Sequence, residues 1–386
     1  MSGKTCTLIG GCIALLYLIT ALPAAAEWPD AIRIGIYLPT TGPDSASGRK
    51  LYAGISIAHK TKPVLAEGIP VELVLIDTAG DVKQSLEAVT TLLDKNKVCA
   101  VIGEAGEKNT RAASIITEKR KIPMLTPAVT APTLTESRKF LFRTCVSDIF
   151  HINTIVRYAL ESLEARRVSI LIDITSETAI NMADNFKESC TKNGGTIASI
   201  AYCASDDQDF TLQISSFMAS NPDFLFLPLS YAGIITFNKK AKELGFTLPT
   251  FILPGADPGL LVEKGGNSVE GIMFFDHFSP DAPANEHDKA YTNVFKKTKG
   301  CHPGILEILG ADSYFVVLSA IEQAHSTDGT DIKNALVQTR QFPALSGPIT
   351  LGNDGNAHKN LFLLQIKEGK VNYLKTVEAR LAEQGT

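Results

Sequence analysis

Two loops offer the groups best placed to hold a ligand. Val101-Ile102-Gly103-Glu104-Ala105-Gly106-Glu107-Lys108-Asn109-Thr110 sets small residues and open backbone at the start of a helix. Unpaired N–H groups and the helix dipole suit a polar or anionic ligand group there. Gly103 and Gly106 serve equally well to permit a tight strand-to-helix turn, so both readings stand. Pro127-Ala128-Val129-Thr130-Ala131-Pro132 is an extended segment between two prolines, too short to form an element of its own. Its backbone and the Thr130 hydroxyl either meet a ligand or form a rigid link to a strand at 140–143.

Catalytic signatures are missing from the chain. Leu38-Pro39-Thr40-Thr41-Gly42-Pro43 stands where a dinucleotide-binding glycine turn belongs. Gly42 and Gly48 have the wrong separation for a phosphate loop, and Arg49 occupies the lysine position. Neither G-x-S-x-G nor H-E-x-x-H occurs. His59, His151, His277, His287, His302, His325 and His358 are scattered, and no C-x-x-C or Cys/His ligand spacing is present. No catalytic residue, metal or cofactor is therefore expected.

The elements that must position these loops alternate strand and helix. Strands are expected at 31–38, 71–76, 98–102, 122–125 and 140–143, with helices at 47–65, 81–95 and 109–119. Asp81 with Gln84 three residues on forms a helix-start signal, and Val82, Leu86, Val89 and Leu93 share one face. The rhythm restarts with strands at 167–172, 196–201, 223–227, 250–253 and 271–275 and helices at 149–164, 178–193, 209–220 and 231–245. Residues 286–338 read as helical, and strands at 361–367 and 370–376 form a hairpin around Glu368-Gly369. This is an α/β chain of two similar lobes, each a parallel sheet covered on both faces. Ligands of such sheets sit beyond the carboxyl ends of the strands. The loops at 39–48, 103–110, 126–132, 173–178, 228–233 and 254–258 should therefore face each other across a cleft.

At the two opening loops the sequence resembles the branched-chain amino-acid (leucine/isoleucine/valine) binding family of type I periplasmic binding proteins. The resemblance is carried by Ile34-Gly35-Ile36, Thr41-Gly42-Pro43, Asp77-Thr78-Ala79-Gly80-Asp81, Val101-Ile102-Gly103, the stretch from Thr126 to Thr135, and Phe142-Arg143-Thr144. It continues more weakly through Pro222-Asp223-Phe224 and Gly347-Pro348-Ile349. The resemblance implies two doubly wound parallel-sheet lobes joined by a three-segment hinge, with crossovers near 147–150, 276–279 and 349–352. Lobe 1 would comprise residues 30–148 and 278–349, and lobe 2 residues 149–277 and 350–386. It further implies a solute-binding component of an ABC importer that delivers a small molecule to an inner-membrane permease.

The resemblance places Thr130 and Ala128 on family ligand positions, whereas the carboxylate-binding serine position holds Glu107. Glu177 and Ser230 fall where tyrosines are common, with Tyr231 next in the chain, and Asp257 is the nearest acid to the ammonium-binding place. The candidate ligand-binding set is Ser47, Ala105, Gly106, Glu107, Ala128, Val129, Thr130, Phe150, Glu177, Ser230, Tyr231 and Asp257. A carboxylate at Glu107 would repel a ligand carboxylate about 4 Å away by ~1 kcal/mol even in water. Either Glu107, with Glu177, recognises a cationic or hydrogen-bond-donating group, or Glu107 points to solvent or pairs with Lys108 or Arg111.

Composition agrees with a diffusible solute-binding protein. The chain has 386 residues, 45% hydrophobic and 20% charged, with net charge −4 and no run of like charge that would serve nucleic acid. Lys4, an apolar run through Leu22 and Ala24-Ala25-Ala26 form the three parts of a signal peptide over residues 1–26. The mature protein is expected to be periplasmic and monomeric, without stable membrane insertion. Cys99, Cys145, Cys190, Cys203 and Cys301 remain, an odd number that excludes a complete disulfide framework. Two other readings share the fold and export: a sensor that docks to a membrane receptor, and an exported enzyme.

Overall fold

A computed structural model describes residues 28–253, 258–282 and 286–378. The expected signal peptide and Asp257 lie outside the described residues.

The chain begins with β1 (Ile32–Leu38), α1 (Ser45–Thr61), β2 (Val71–Asp77), α2 (Val82–Asp94), β3 (Ala100–Ile102), α3 (Glu107–Arg120), β4 (Met124–Thr126) and β5 (Leu141–Arg143). These strands form one sheet in the order β2-β1-β3-β4-β5, with every neighbouring pair parallel. Successive side chains of β1 alternate between faces, so Ile34, Ile36 and Leu38 join one core while Tyr37 joins another. Helix α2 opens as the sequence indicates: the Asp81 carboxylate accepts from the Gln84 N–H at 2.9 Å. Helix α1 ends at Thr61 rather than near 65. Pro63 disfavours helix at the residue before it, and residues 64–70 fold back in a turn through Gly68.

The second series is α4 (Asp148–Ser162), β6 (Arg167–Asp173), α5 (Glu177–Lys192), β7 (Thr196–Cys203), α6 (Thr211–Ser220), β8 (Phe224–Phe226), α7 (Tyr231–Glu243), β9 (Thr250–Phe251), α8 (Pro258–Gly265) and β10 (Ile272–Asp276). Helices α9 (Glu286–Lys299), α10 (Ile305–Ala324) and α11 (Gly329–Val337) follow, then β11 (Thr350–Leu351), β12 (Ala357–His358), β13 (Leu361–Lys367) and β14 (Lys370–Val377). The second sheet runs β14-β13-β10-β9-β8-β6-β7. Its parallel strands are extended by the antiparallel hairpin β13–β14, so the two sheets are alike in winding but not in size. Phe186 stacks on Phe226 at 4.2 Å, and Phe224, Phe251 and Phe275 continue this aromatic core.

The late helices supply the first sheet's missing cover. Helix α10 lies against α1, where a side-chain carbon on Gly54 would fall 1.8 Å from the Glu307 carbonyl oxygen. One on Gly310 would fall 2.3 Å from that of Leu51. Only glycines allow the two backbones to approach so closely.

The chain passes between the sheets three times. The first passage runs from Phe142 to Val146 and the second from Phe275 to Phe278. The third lies between Ala357 and Leu361 rather than at 349–352. The pairing of β11 with β12 keeps Leu351 and Ala357 in the first core, which delays the crossing. Cys190 and Cys203 are both free thiols and belong to different cores.

Candidate ligand-binding cleft

Each sheet reverses its winding at one strand: β1 has β2 on one side and β3 on the other, and β6 has β7 and β8. Connections diverge at such points and leave a crevice at the strands' carboxyl ends. The loops after β1, β3, β6 and β8 are among those the strand pattern marks as cleft loops. Helices α5 and α7 begin there on serine caps, Ser176 accepting from Ala179 N–H and Ser230 from Gly233 N–H, and α4, after β5, begins likewise with Ser147 accepting from Phe150 N–H. Helix α3 begins on Gly106, with no side-chain cap.

Gly103 is required by geometry at the end of β3. Its φ is +144°, and a side-chain carbon there would lie 2.1 Å from the Tyr37 carbonyl oxygen. The next residue, Glu104, is buried, and its carboxylate accepts from Thr78 Oγ1 at 2.5 Å, Ser85 Oγ at 3.1 Å and Gly106 N–H at 3.2 Å. The buried acid of this loop is thus Glu104, while Glu107 is exposed and bound to Arg111 at 2.7 Å. Arg111 is anchored in turn on Thr133.

The proline-bounded segment is stitched down by Arg143, which donates to the Val129 carbonyl at 3.2 Å and to that of Pro132 at 3.4 Å. Cys145 Sγ also donates to the Val129 carbonyl, and the Val129 side chain is buried in the core. Val129 therefore shapes the segment from beneath. Thr130 does face the cleft: its carbonyl accepts from Asp148 N–H at 2.9 Å and its hydroxyl donates to the Asp148 carboxylate. Burial raises the Asp148 carboxyl above its ordinary value, Thr130 and Arg143 oppose that rise, and Glu107 adds to it.

Two cavities meet between the sheets and share Met182 and Leu253. The larger, about 420 Å³, is walled by Asp173, Ser176, Thr178, Ser205, Ser230 and Tyr231 from the second sheet's loops. Asp173 accepts from Thr175 N–H at 2.9 Å, Thr175 Oγ1 at 2.6 Å and Ser205 Oγ. Burial acts to raise its carboxyl, but these donors outweigh that and hold it below the ordinary value. The smaller cavity, about 210 Å³, lies at the crossovers between Ala128, Thr130, Cys145, Asp148, His151, Asp276, His277 and the start of α10.

Of the sequence candidates, Ala128, Thr130, Ser230 and Tyr231 line this joined space. Glu177 is exposed beside it, Ser47 and Phe150 are half-buried, and none of the three is among its lining residues. Ala105 packs against the first core, and Gly106 caps α3. Sequence reasoning missed Asp148, His151, Asp276 and His277 because each is unremarkable in its own segment. Their signal was position, since they fall at the first two expected crossovers.

Burial lowers His151 to about 4 and holds His277 well below its ordinary value, with Lys359 adding to both effects. Burial raises Asp276 to about 7 against the opposing pull of the His277 N–H and of Lys359. The buried Lys359 donates to Ser346 Oγ, which donates to Asp312; Leu345 N–H also binds Asp312 at 2.7 Å. Among the described residues no group of three or more His, Cys, Asp or Glu could hold a metal ion, and no helix is long and apolar enough to cross a membrane. The arrangement can enclose a small polar molecule between two walls.

The profile of the family described as periplasmic binding protein matches residues 31–370. The leucine-, isoleucine-, valine-, threonine- and alanine-binding protein of Pseudomonas aeruginosa is 25% identical over 332 residues, which cover 85% of this chain and 87% of that one. A leucine-binding protein structure from Thermotoga maritima matches at 36% identity with a TM-score of 0.75, covering 90% of this chain and 99% of that one. A Streptococcus pneumoniae branched-chain amino-acid transporter substrate-binding protein, solved with isoleucine, shares the fold with a TM-score of 0.74 at 24% identity, covering 90% of this chain and 99% of that one.

Proposed function

The chain belongs to the periplasmic binding protein family, and from that premise we propose that its interlobe cleft takes up one small organic solute, amino-acid-sized. It is a solute-binding protein of an ABC importer and acts by binding rather than by catalysis. The observation that carries the proposal is the pair of adjoining cavities, whose walls come from the loop after β4 of the first sheet and from the loops after β6 and β8, the switch point of the second. A solute lodged there touches both walls at once, so it stabilises the closed state over the open one. The closed form is what the inner-membrane permease would read.

We assign Thr130 and Ala128 to the first wall and Ser230 and Tyr231 to the second, with Asp257 remaining a candidate. The lobes would divide at the three passages, the last between Ala357 and Leu361. Removal of residues 1–26 would release a periplasmic monomer. The relatives' branched-chain amino acids are one class of solute to test, alongside polyamines, amides and small aromatic acids. Thermal unfolding of residues 27–386 with each class is the test. A solute at ~100 times its dissociation constant adds ~2.7 kcal/mol of stability. Stabilisation that vanishes when Thr130 and Tyr231 are replaced supports the cleft. Stabilisation untouched by both replacements would place the site elsewhere and overturn it.

A further inference from the structure

The polar atoms at the crossovers are unevenly matched. His151 donates to the Phe275 carbonyl, and its Nε2 is buried without a hydrogen-bond partner, so the donating atom is Nδ1. A neutral imidazole donates from one nitrogen and accepts at the other. Nε2 is therefore a lone-pair acceptor. His277 Nδ1 is likewise buried and unpartnered, and the two rings meet edge to face at 4.9 Å. Both rings line the 210 Å³ cavity with Asp148 and Asp276, a space of several water volumes at about 30 Å³ each.

Charge points the same way. Asp148 and His151 come from α4, Asp276 and His277 from the end of β10, and Asp312 from α10. Against these three carboxyls stand two buried cations, Lys359 and Arg143. Lys359 is engaged with Ser346, beside Asp312; Arg143 donates to the Val129 and Pro132 carbonyls, its Nε is buried without a partner, and its charge acts on Asp148. Cys145 adds no charge, since burial pushes its thiol up to about 11. Glu107, the remaining acid near Asp148, is held by Arg111.

We propose that this base of the cleft seats a protonated nitrogen of the solute, an alkylammonium or amidinium group, held by Asp148, Asp276 and His151 Nε2. The inference rests on the solute-binding reading above and narrows its ligand class to cationic amines over carboxylates. A bound cation supplies the donor that His151 Nε2 lacks and balances the excess of carboxyls. Binding then draws Asp276 to its ionised form, so affinity for a cation rises as pH climbs through about 7, while His151 stays neutral above about 4.

The test is calorimetric titration of the mature protein with butylammonium, 1,4-diaminobutane and agmatine, beside butanol and butanoate of similar size. The amines are expected to bind at least roughly tenfold more tightly than butanol or butanoate, about 1.4 kcal/mol. Asp148→Asn and His151→Phe should each reduce amine affinity by a similar factor, and Asp276→Asn should flatten the pH dependence near 7. The wild-type comparison stands even if one variant fails to fold. Amines that do not bind, or that bind no better than butanol or butanoate, would overturn the proposal. If a carboxylate or neutral solute nevertheless binds and loses affinity with Thr130 and Tyr231 replaced, the solute-binding reading survives and only the cationic seat is lost.

Discussion

The two sides of the cavity treat their polar groups differently. On the second-sheet wall, Ser176 and Ser230 are consumed as helix caps, and Asp173 is saturated by Thr175 and Ser205. At the crossovers, Lys359, Asp312 and Ser346 satisfy one another, while His151 Nε2, His277 Nδ1 and Arg143 Nε remain unmatched. The wall is finished by its own chain; the base is not. Buried polar groups without partners are rare because each costs about 1–3 kcal/mol. Their concentration where the chain passes between the sheets marks the place where a solute has most to supply.

The largest effect should come from breaking the buried charge network. Asp312→Ala removes the largest of the charges that offset the buried Lys359 cation and should cost about 3–5 kcal/mol in urea unfolding. A loss below 1 kcal/mol would show that water reaches the cluster and would erase its contrast with the wall. Gly54→Ala tests the helix seam above it. The added carbon has no room against Glu307, and overpacking of this kind costs about 1–3 kcal/mol by the same measurement.

The pH dependence sharpens the comparison further. His151 falls from 6.5 to about 4 on folding, so its contribution is present above 6.5 and lost as pH falls toward 4. Asp276 rises from 3.8 to about 7, so its contribution is present below 3.8 and lost as pH rises through 7. Between about 4 and 6.5 the two oppose each other. His151→Gln should make stability fall more, or rise less, with pH across that window, and Asp276→Asn should do the reverse. Each change is bounded by about 1.4 kcal/mol per pH unit for one proton. Asp173 on the wall gives the opposite sign to Asp276, because its lowered carboxyl loses stability on acidification.

Smaller effects belong to the wall and rim. Ser176→Ala or Ser230→Ala should cost about 1 kcal/mol through loss of a cap. Glu107→Gln should cost no more than about 0.3–0.5 kcal/mol, since its bond to Arg111 is exposed and screened by solvent. A larger loss would restore Glu107 to a part in the base of the cleft.

Much of the fold was legible from period and punctuation. Alternating strand and helix signals gave the order of elements, Asp81 marked the start of α2, and Glu368-Gly369 marked the late hairpin. The resemblance added the crossovers, but β11 and β12 are too short to show as strands, so the delayed third passage was hidden. Within the cleft, Thr130 was visible because two prolines frame it. The choice between Glu104 and Glu107 was not, because three residues of separation on a turn decide burial and the sequence prints both as acids. His151 and His277 meet only through tertiary crossing, and no local pattern announces that.

The most direct test of the account is small-angle X-ray scattering of the mature protein, alone and with a solute that stabilises it. Closure around a solute held by both walls predicts a smaller radius of gyration in the bound state, and no such change when Thr130 and Tyr231 are replaced. Saturating binding with an unchanged radius of gyration in the unaltered protein would contradict capture between the lobes.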